Sequence, residues 1–272
     1  MEPGFAPSEI DTSRPHPARL YDYFLGGKDN YVVDREAAEA VLRLAPEARE
    51  IARENRAFLG RVVRYLVGEA GIRQIVDIGT GIPTAGNVHE VARQIDPAVR
   101  VAYVDNDPIV HVHANALLAG QGSTSIVLAD LRDPAGILAR PEIRELIDFR
   151  QPIAVLMIAI VHFITDQEGP GEIITAFREA VAPGSYFALS HATADFHDEA
   201  VTGGAMEVYA RATAPLMPRS HSRVAAMFEG WDLIEPGVVQ VPLWRPDGAM
   251  PRPGDLARIA AYGGVGRKRA DP

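Results

Sequence analysis

Between residues 73 and 193, five short apolar runs alternate with segments of helical pattern. They are "RQIVDIG" (73–79), "RVAYVDN" (100–106), "TSIVLAD" (124–130), "IAVLMIAI" (153–160) and "SYFALSHAT" (185–193). Their apolar character is largely continuous rather than alternating, as expected of parallel strands buried on both faces. The segments between them, "NVHEVARQI", "PIVHVHANALLAG", "PAGILARPEIRELIDF" and "GEIITAFREAV", read as helices. Repeated βα units with right-handed crossovers predict an α/β fold with an open, doubly wound, mostly parallel sheet. The pattern then changes: "WDLIE" and "VVQVPLW" flank Pro236 and Gly237 and predict an antiparallel hairpin at the sheet edge.

Helical patterns precede the first strand. Ser13 is a candidate cap for a short helix with Pro15 and Pro17 in its first turn, stopped by Gly26 and Gly27. A second helix is expected from Asp34 to about Leu44, before Pro46. A third runs through "AREIARENRAFLGRVVRYLVGEAG", with Leu59, Val62, Val63 and Leu66 on one face and Gly68 and Gly71 at its end. The chain thus divides into an N-terminal arm and helical lid (1–70), loose to about residue 13, and a Rossmann-like domain (71–272), packed as one unit. The closing "GGVGRKRADP" is glycine-rich and basic and is expected to fray.

Composition narrows the function classes. A formal charge of −9 disfavours extended nucleic-acid binding, which relies on Lys and Arg to displace phosphate counterions. The absence of cysteine excludes thiolate nucleophiles, disulfides and Cys-ligated zinc. The first residues lack the basic start and apolar stretch of a secretory signal, and no apolar run approaches the ~18 residues of a membrane span. A cytoplasmic protein is expected, with no membrane partner.

Ligands of an open parallel sheet bind beyond the carboxyl ends of the strands, beside the first βα turn. That turn is "VDIGTGIPTAGN", which places Gly79, Thr80 and Gly81 in the site. The second strand ends in "YVDND", so Asp105, with Asn106 beside it, sits where a ribose-binding acid belongs. The third ends in "LADLRD", so Asp130 can accept from an adenine amino group. Each acid alone also reads as a cap or turn residue. Pro83 and Thr84 interrupt the G-x-G-x-x-G pattern that seats a pyrophosphate, and Asp77 suits a ligand with a cationic amino group. Those features favour S-adenosylmethionine over NAD(P).

"VDIGTGIPT", "YVDNDP" and "LADLRDP" resemble the S-adenosylmethionine-dependent methyltransferases of the seven-stranded Rossmann-like class (class I). More narrowly, "RPHPARLYDYFLGGKDNY", "ARENRAFL", "GNVHEVA" and "GWDLIEPGVVQVPLWRPD" resemble an actinobacterial-type family of inferred methyltransferases, formerly catalogued as a domain of unknown function. The resemblance runs from about Arg14 to Asp247. It implies strand order 3-2-1-4-5-7-6 with the last hairpin antiparallel, and S-adenosylmethionine as cofactor. By position it implies that Gly79 and Gly81 flank the methionine portion, Asp105 binds the ribose hydroxyls, and Asp130 with Leu131 faces the adenine. The end of the fourth strand, "AIVHF", would border the transferred methyl, which brings in Ala159 and His162. No Asn-Pro-Pro-Tyr type motif stands there, so the chain does not resemble nucleic-acid amino-methylating enzymes.

The donor's methyl group is already activated, so the protein mainly aligns and desolvates the reactants. His162 is the candidate base if the acceptor must lose a proton, against the alternative of a turn-filling histidine. Tyr21, Tyr23, Asn30 and Tyr31 flank Gly26 and Gly27 and are candidates for the lid and acceptor pocket, as is His191. Core packing is the alternative for the aromatics. Arg53, Asn55 and Arg56 are candidates for polar contacts to the same cleft, with a solvated face the reading for most of them, and His89 reads as support for the helix after the glycine turn. "SHATADFHDE" offers His191, Asp195, His197 and Asp198 as ligand types, but a polar capping loop accounts for them, and no metal site is assigned. The expected activity is methylation of a small-molecule acceptor. A non-catalytic S-adenosylmethionine-binding or regulatory protein is the alternative, and an NAD(P) oxidoreductase the more distant one.

Overall fold

The computed structural model describes residues 11–83, 86–118 and 122–269. Residues 1–10 of the expected arm, Thr84 in the glycine turn and the last three residues of the tail therefore lie outside the described residues.

Helix α1 (Pro17–Leu25) starts later than a Ser13 cap would allow. A residue before proline is driven out of the helical region. His16, preceding Pro17, is accordingly extended (φ −118°, ψ 135°) and becomes the cap, its Nδ1 accepting the Ala18 N–H. Gly26, at φ +85°, ends the helix. Gly27 is required by proximity: a Cβ there would lie 1.9 Å from Asp22 Oδ1. Helix α2 (Val32–Leu44) begins two residues before Asp34, because Asp34 serves as the third helical residue, its carboxylate accepting the Tyr31 N–H at 2.9 Å. Helix α3 (Ala48–Arg64) continues into a π-helical turn (Tyr65–Glu69) and stops at Gly71.

The βα units follow as β1 (Gln74–Ile78), α4 (Val88–Arg93), β2 (Arg100–Asp105), α5 (Pro108–Leu118), β3 (Thr124–Leu128), α6 (Pro134–Ala139), α7 (Pro141–Arg144), β4 (Ala154–Ile158), α8 (Pro170–Ala180) and β5 (Tyr186–Ala192). Next come α9 (Glu199–Tyr209), α10 (His221–Ala226), β6 (Trp231–Leu233), β7 (Val239–Gln240), α11 (Pro253–Leu256) and β8 (Ala261–Lys268). The sheet order is β3-β2-β1-β4-β5-β8-β6, with β1 to β5 parallel and the last strands antiparallel. This is the doubly wound order expected.

The segment that fills the position beside β5 is not "VVQVPLW". Only Val239 and Gln240 of that stretch form strand, and they pair with β8 rather than β6, since Pro242 has no N–H for a ladder and the chain turns there. The strand beside β5 is instead Ala261–Lys268, most of the stretch expected to fray. Its glycines permit close packing rather than freedom. A Cβ at Gly263 would lie 2.7 Å from the Phe58 ring, and one at Gly266 2.6 Å from Trp231.

Apolar clusters cover both faces of the sheet, with Phe58 of α3 and Leu66 of the π-helical turn on one and Phe177 of α8 with Trp231 on the other. Phe58 meets the fully buried Trp244 edge to face at 5.6 Å. Truncating either aromatic to Ala would cost about 3–5 kcal/mol. A third cluster joins Leu20, Phe24, Val41 and Ala52 to Phe163 and Tyr209, and it holds α1 to α3 over the strand tips. Among the described residues no helix is long and apolar enough to cross a membrane.

Candidate active site

A cavity of about 480 Å³ lies between the carboxyl ends of β1 to β5 and the helices α1, α2, α3 and α9. Asp77, Gly79, Thr80, Gly81, Asp105, Asn106, Asp130, Leu131 and Ala159 all line it, as do His162, His191 and Tyr21.

The β1 turn is built around two glycines with positive φ, Gly79 at +73° and Gly81 at +69°. At Gly79 close approach adds a second constraint, because a Cβ would lie 2.5 Å from Ile160 Cγ1 in the turn after β4. Asp105 ties this turn to β2: its Oδ2 accepts the Gly81 N–H at 2.8 Å and its Oδ1 the Asp107 N–H at 2.9 Å. Burial pushes the Asp105 carboxyl up to about 6, against the pull of those backbone donors. Burial likewise pushes Asp77 up to about 7; Arg56 pulls it down and the neighbouring Asp105 pushes it further up. The cavity wall therefore holds two adjacent buried carboxyls short of positive charge.

Asp130 is half-exposed and already engaged, accepting from Asn106 Nδ2 at 3.1 Å and pairing with Arg132 at 3.0 Å. Leu131 beside it is buried. Ala159, at the β4 tip, has φ +57°, a left-handed conformation rare for a residue with a Cβ. Its N–H is held by Ser190, through the carbonyl at 3.2 Å and Oγ at 2.9 Å.

His162 and His191 meet across the wall. The Ala192 N–H donates to His162 Nδ1 at 3.2 Å, so the neutral ring carries its proton on Nε2. Burial holds the His162 ring well below the ordinary histidine value, with His191 and Arg219 adding to the effect. The nitrogen free to face a ligand is thus a donor, which does not suit the expected base. His191 has both nitrogens engaged, Nδ1 with the Ala192 carbonyl at 2.7 Å and Nε2 with Arg219 at 3.0 Å, and burial lowers it to about 4. Arg219, absent from the sequence candidates, is buried and also donates to the Val161 and Ile164 carbonyls and to Asp166. It fixes the turn after β4. Nothing in "MPRSHSR" distinguishes it from a surface arginine.

Of the four N-terminal candidates, only Tyr21 reaches the cavity. Its hydroxyl donates to the Ala52 carbonyl at 3.0 Å and accepts from Asn55 Nδ2 at 2.8 Å, while Asn55 Oδ1 accepts from Ser190 Oγ at 2.5 Å. A continuous chain of hydrogen bonds thus runs from α1 through α3 to β5. Asn55 is buried and Arg56 lines the cavity, so these two take the cleft position rather than the solvated face; Arg53 is exposed. Tyr23, two residues from Tyr21 and hence on the other side of the helix, bonds Glu39 at 2.5 Å. Asn30 bonds Asp22, and Tyr31 caps α2 under the Arg19 guanidinium. These three lie outside the cavity lining.

Beneath α1, buried Arg19 lies 3.4 Å from Asp34 and 3.7 Å from Asp107, which His16 also approaches at 3.1 Å. His89 supports its helix as expected, its ring and N–H both bonding the Tyr103 hydroxyl. In the "SHATADFHDE" stretch the side chains diverge: Asp195 takes Tyr262 and the His221 N–H, and His197 pairs with Glu47 at 2.9 Å. Among the described residues no three His, Cys, Asp or Glu converge as metal ligands.

Comparison with known proteins fits this geometry. The family described as S-adenosyl methyltransferase matches residues 3–269. A DUF574 family protein from Streptomyces avermitilis MA-4680 is 45% identical and superposes with a TM-score of 0.91, covering 95% of this chain and 99% of that one. A crystal structure from Thermobifida fusca YX, assigned provisionally as a methyltransferase, is 38% identical with a TM-score of 0.90, covering 98% and 99%. The 1,6-didemethyltoxoflavin-N1-methyltransferase of Burkholderia thailandensis, solved with bound 1,6-didemethyltoxoflavin and S-adenosylhomocysteine, is 13% identical with a TM-score of 0.50 over 87% of this chain and 90% of that one, a likeness of fold alone. A search of curated proteins found no match. The chain belongs to the S-adenosyl methyltransferase family, on the class I methyltransferase fold, with S-adenosylmethionine as its expected cofactor.

Proposed function

We propose that this protein transfers a methyl group from S-adenosylmethionine to a small-molecule acceptor within the cavity at the strand tips. The observation that carries the reading is the pair of buried carboxyls, Asp77 and Asp105, in a cavity that also contains the β4 turn and one wall of N-terminal helices. Such a site lowers its free energy by taking up a cationic ligand. What the bound donor supplies is a methyl group already activated on a positively charged sulfur.

The residues fit that group. Asp105 has lone pairs left on both oxygens after accepting one backbone N–H on each, which suits a pair of ribose hydroxyls. Gly79 and Gly81, with Thr80 between them, let the chain pass close to the methionine portion, and Asp77 offers a countercharge to its ammonium. Arg56, on the same wall, is the matching cation for its carboxylate. Leu131 gives the adenine an apolar face, while Asn106 and Asp130 border its edge. Helices α1 to α3 act as the lid, excluding water from the reacting atoms. On this reading His162 orients the acceptor by donating from Nε2 rather than removing its proton, and His191 holds the wall in place.

Calorimetric titration with S-adenosylmethionine, S-adenosylhomocysteine and NADH tests the reading. Saturable binding of the first two, weakened at least tenfold by Asp105→Ala, is expected, with no response to NADH. Failure of the folded protein to bind either sulfur ligand would exclude it.

A further inference from the structure

The cavity has a second compartment of different chemistry. Away from the acidic strand tips it is walled by Phe24, Val41, Phe163, Tyr209 and Leu216. Phe163 and Tyr209 lie with ring centroids 5.6 Å apart and a tilt of 36°, and the His162 ring lies 4.4 Å from Phe163. This is a surface suited to a flat ring. The compartment adjoins the β4 turn, where the proposed transfer takes place.

Tyr209 stands out in this wall. It is 8% exposed, yet its hydroxyl has no hydrogen-bond partner among the described residues. Burial alone raises its phenol, with no charged neighbour contributing. The ring is packed into the wall while the hydroxyl is not sealed off, so the phenol is held with an unpartnered polar end reachable from the cavity. The following loop is tied to the N-terminal arm by the Thr213 N–H on the Pro15 carbonyl at 3.0 Å, and to the β4 turn by the Met217 N–H on the His162 carbonyl at 2.8 Å.

We infer that the Tyr209 hydroxyl is a recognition group for the methyl acceptor, and that the acceptor is a neutral, mainly apolar ring compound presenting a hydroxyl, carbonyl or ring nitrogen to it. The inference rests on the methyltransferase reading above and narrows its substrate class. A charged acceptor is disfavoured because, among the described residues, no charged group acts on Tyr209 to compensate a desolvated charge.

The test uses the full chain loaded with S-adenosylhomocysteine and three probes followed by ligand-detected NMR titration: 4-methylphenol, toluene and 4-methylbenzoate. 4-Methylphenol is expected to bind the wild type at least tenfold more tightly than 4-methylbenzoate, and Tyr209→Phe to weaken it about tenfold while leaving toluene and S-adenosylhomocysteine unchanged. The melting temperature of Tyr209→Phe should stay within about 1 °C of wild type or rise, because the hydroxyl has no partner to lose. A hydroxyl with only a structural role would give the reverse pattern, a lower melting temperature and no discrimination between probes. No binding of 4-methylphenol to the loaded wild type, or equal binding of 4-methylbenzoate, overturns the proposal without reference to the variant. Failure of S-adenosylhomocysteine to bind at the loading step defeats the cofactor reading itself, and this inference with it.

Discussion

The rings of His162 and His191 lie 5.5 Å apart at 81° and, as neutral rings, carry their protons on opposite nitrogens. The Ala192 peptide groups set this arrangement, since the N–H donates to His162 Nδ1 and the carbonyl accepts from His191 Nδ1. Two-dimensional ¹H–¹⁵N spectra of histidine-labelled protein should therefore show His162 as the Nε2–H tautomer and His191 as the Nδ1–H tautomer. Both should remain neutral through pH 6.5, the reference value for histidine, with His191 titrating at about 4. A His162 ring that gains a proton near neutrality would return it to the role of base.

The link from Tyr21 through Asn55 to Ser190 predicts a mutation whose effect exceeds its size. Asn55→Leu keeps the number and branching of side-chain heavy atoms but leaves the Ser190 and Tyr21 hydroxyls each short of a partner. Stability should fall by about 1–3 kcal/mol, chiefly from the Ser190 hydroxyl, which loses its acceptor, since the Tyr21 hydroxyl still donates to the Ala52 carbonyl. Denaturant unfolding measures this directly, and a loss below about 0.5 kcal/mol would show that the chain of bonds does not hold α1 and α3 to β5.

The two turn glycines separate strain from collision. At Gly81 the space for a Cβ is open, so Gly81→Ala incurs only the left-handed backbone cost of about 1–2 kcal/mol. At Gly79 the same strain is joined by contact with Ile160, a branched side chain that must move for the new methyl to fit. Gly79→Ala should therefore destabilise more than Gly81→Ala and also weaken S-adenosylhomocysteine binding more than tenfold. Paired thermal melts and calorimetric titrations test this, and equal effects at the two positions would remove Ile160 from the account.

The parts legible in the sequence are those where a local pattern is enforced by burial on both faces. The run "RQIVDIG" reads as strand over 73–79 and forms strand over Gln74–Ile78, and Asp77, Asp105 and Asp130 fall at or beside the carboxyl ends of the first three strands without any knowledge of tertiary contacts. The reverse held where a residue's meaning depends on a distant neighbour. Gly263 and Gly266 read locally as loose chain, yet they are small because Phe58 and Trp231 press on them. Tyr21 and Tyr23 are equivalent by composition, and only the packing of α1 turns one toward the cavity. Tyr209 and Arg219 follow the fifth strand, in a stretch that includes "TGGAMEVYARATAP", where paired glycines and a proline obscure any helical period.

The buried acids give a pH dependence whose sign can be fixed. Asp77 and Asp105 titrate at about 7 and about 6, far above the ordinary carboxyl, because burial penalises the charged forms. A cationic ligand stabilises those charged forms and lowers both values, so binding near pH 6–7 must expel protons. Calorimetry of S-adenosylmethionine at pH 6.5 in two buffers of different ionisation enthalpy should show net proton release, and affinity should rise as the pH is taken from 5.5 to 8. Asp77→Asn removes the larger contributor at neutrality, so its proton release should fall even if binding survives. Uptake of protons, or affinity that rises toward acid pH, would mean that the carboxyls meet the ligand as neutral donors and that no positive charge lies against them.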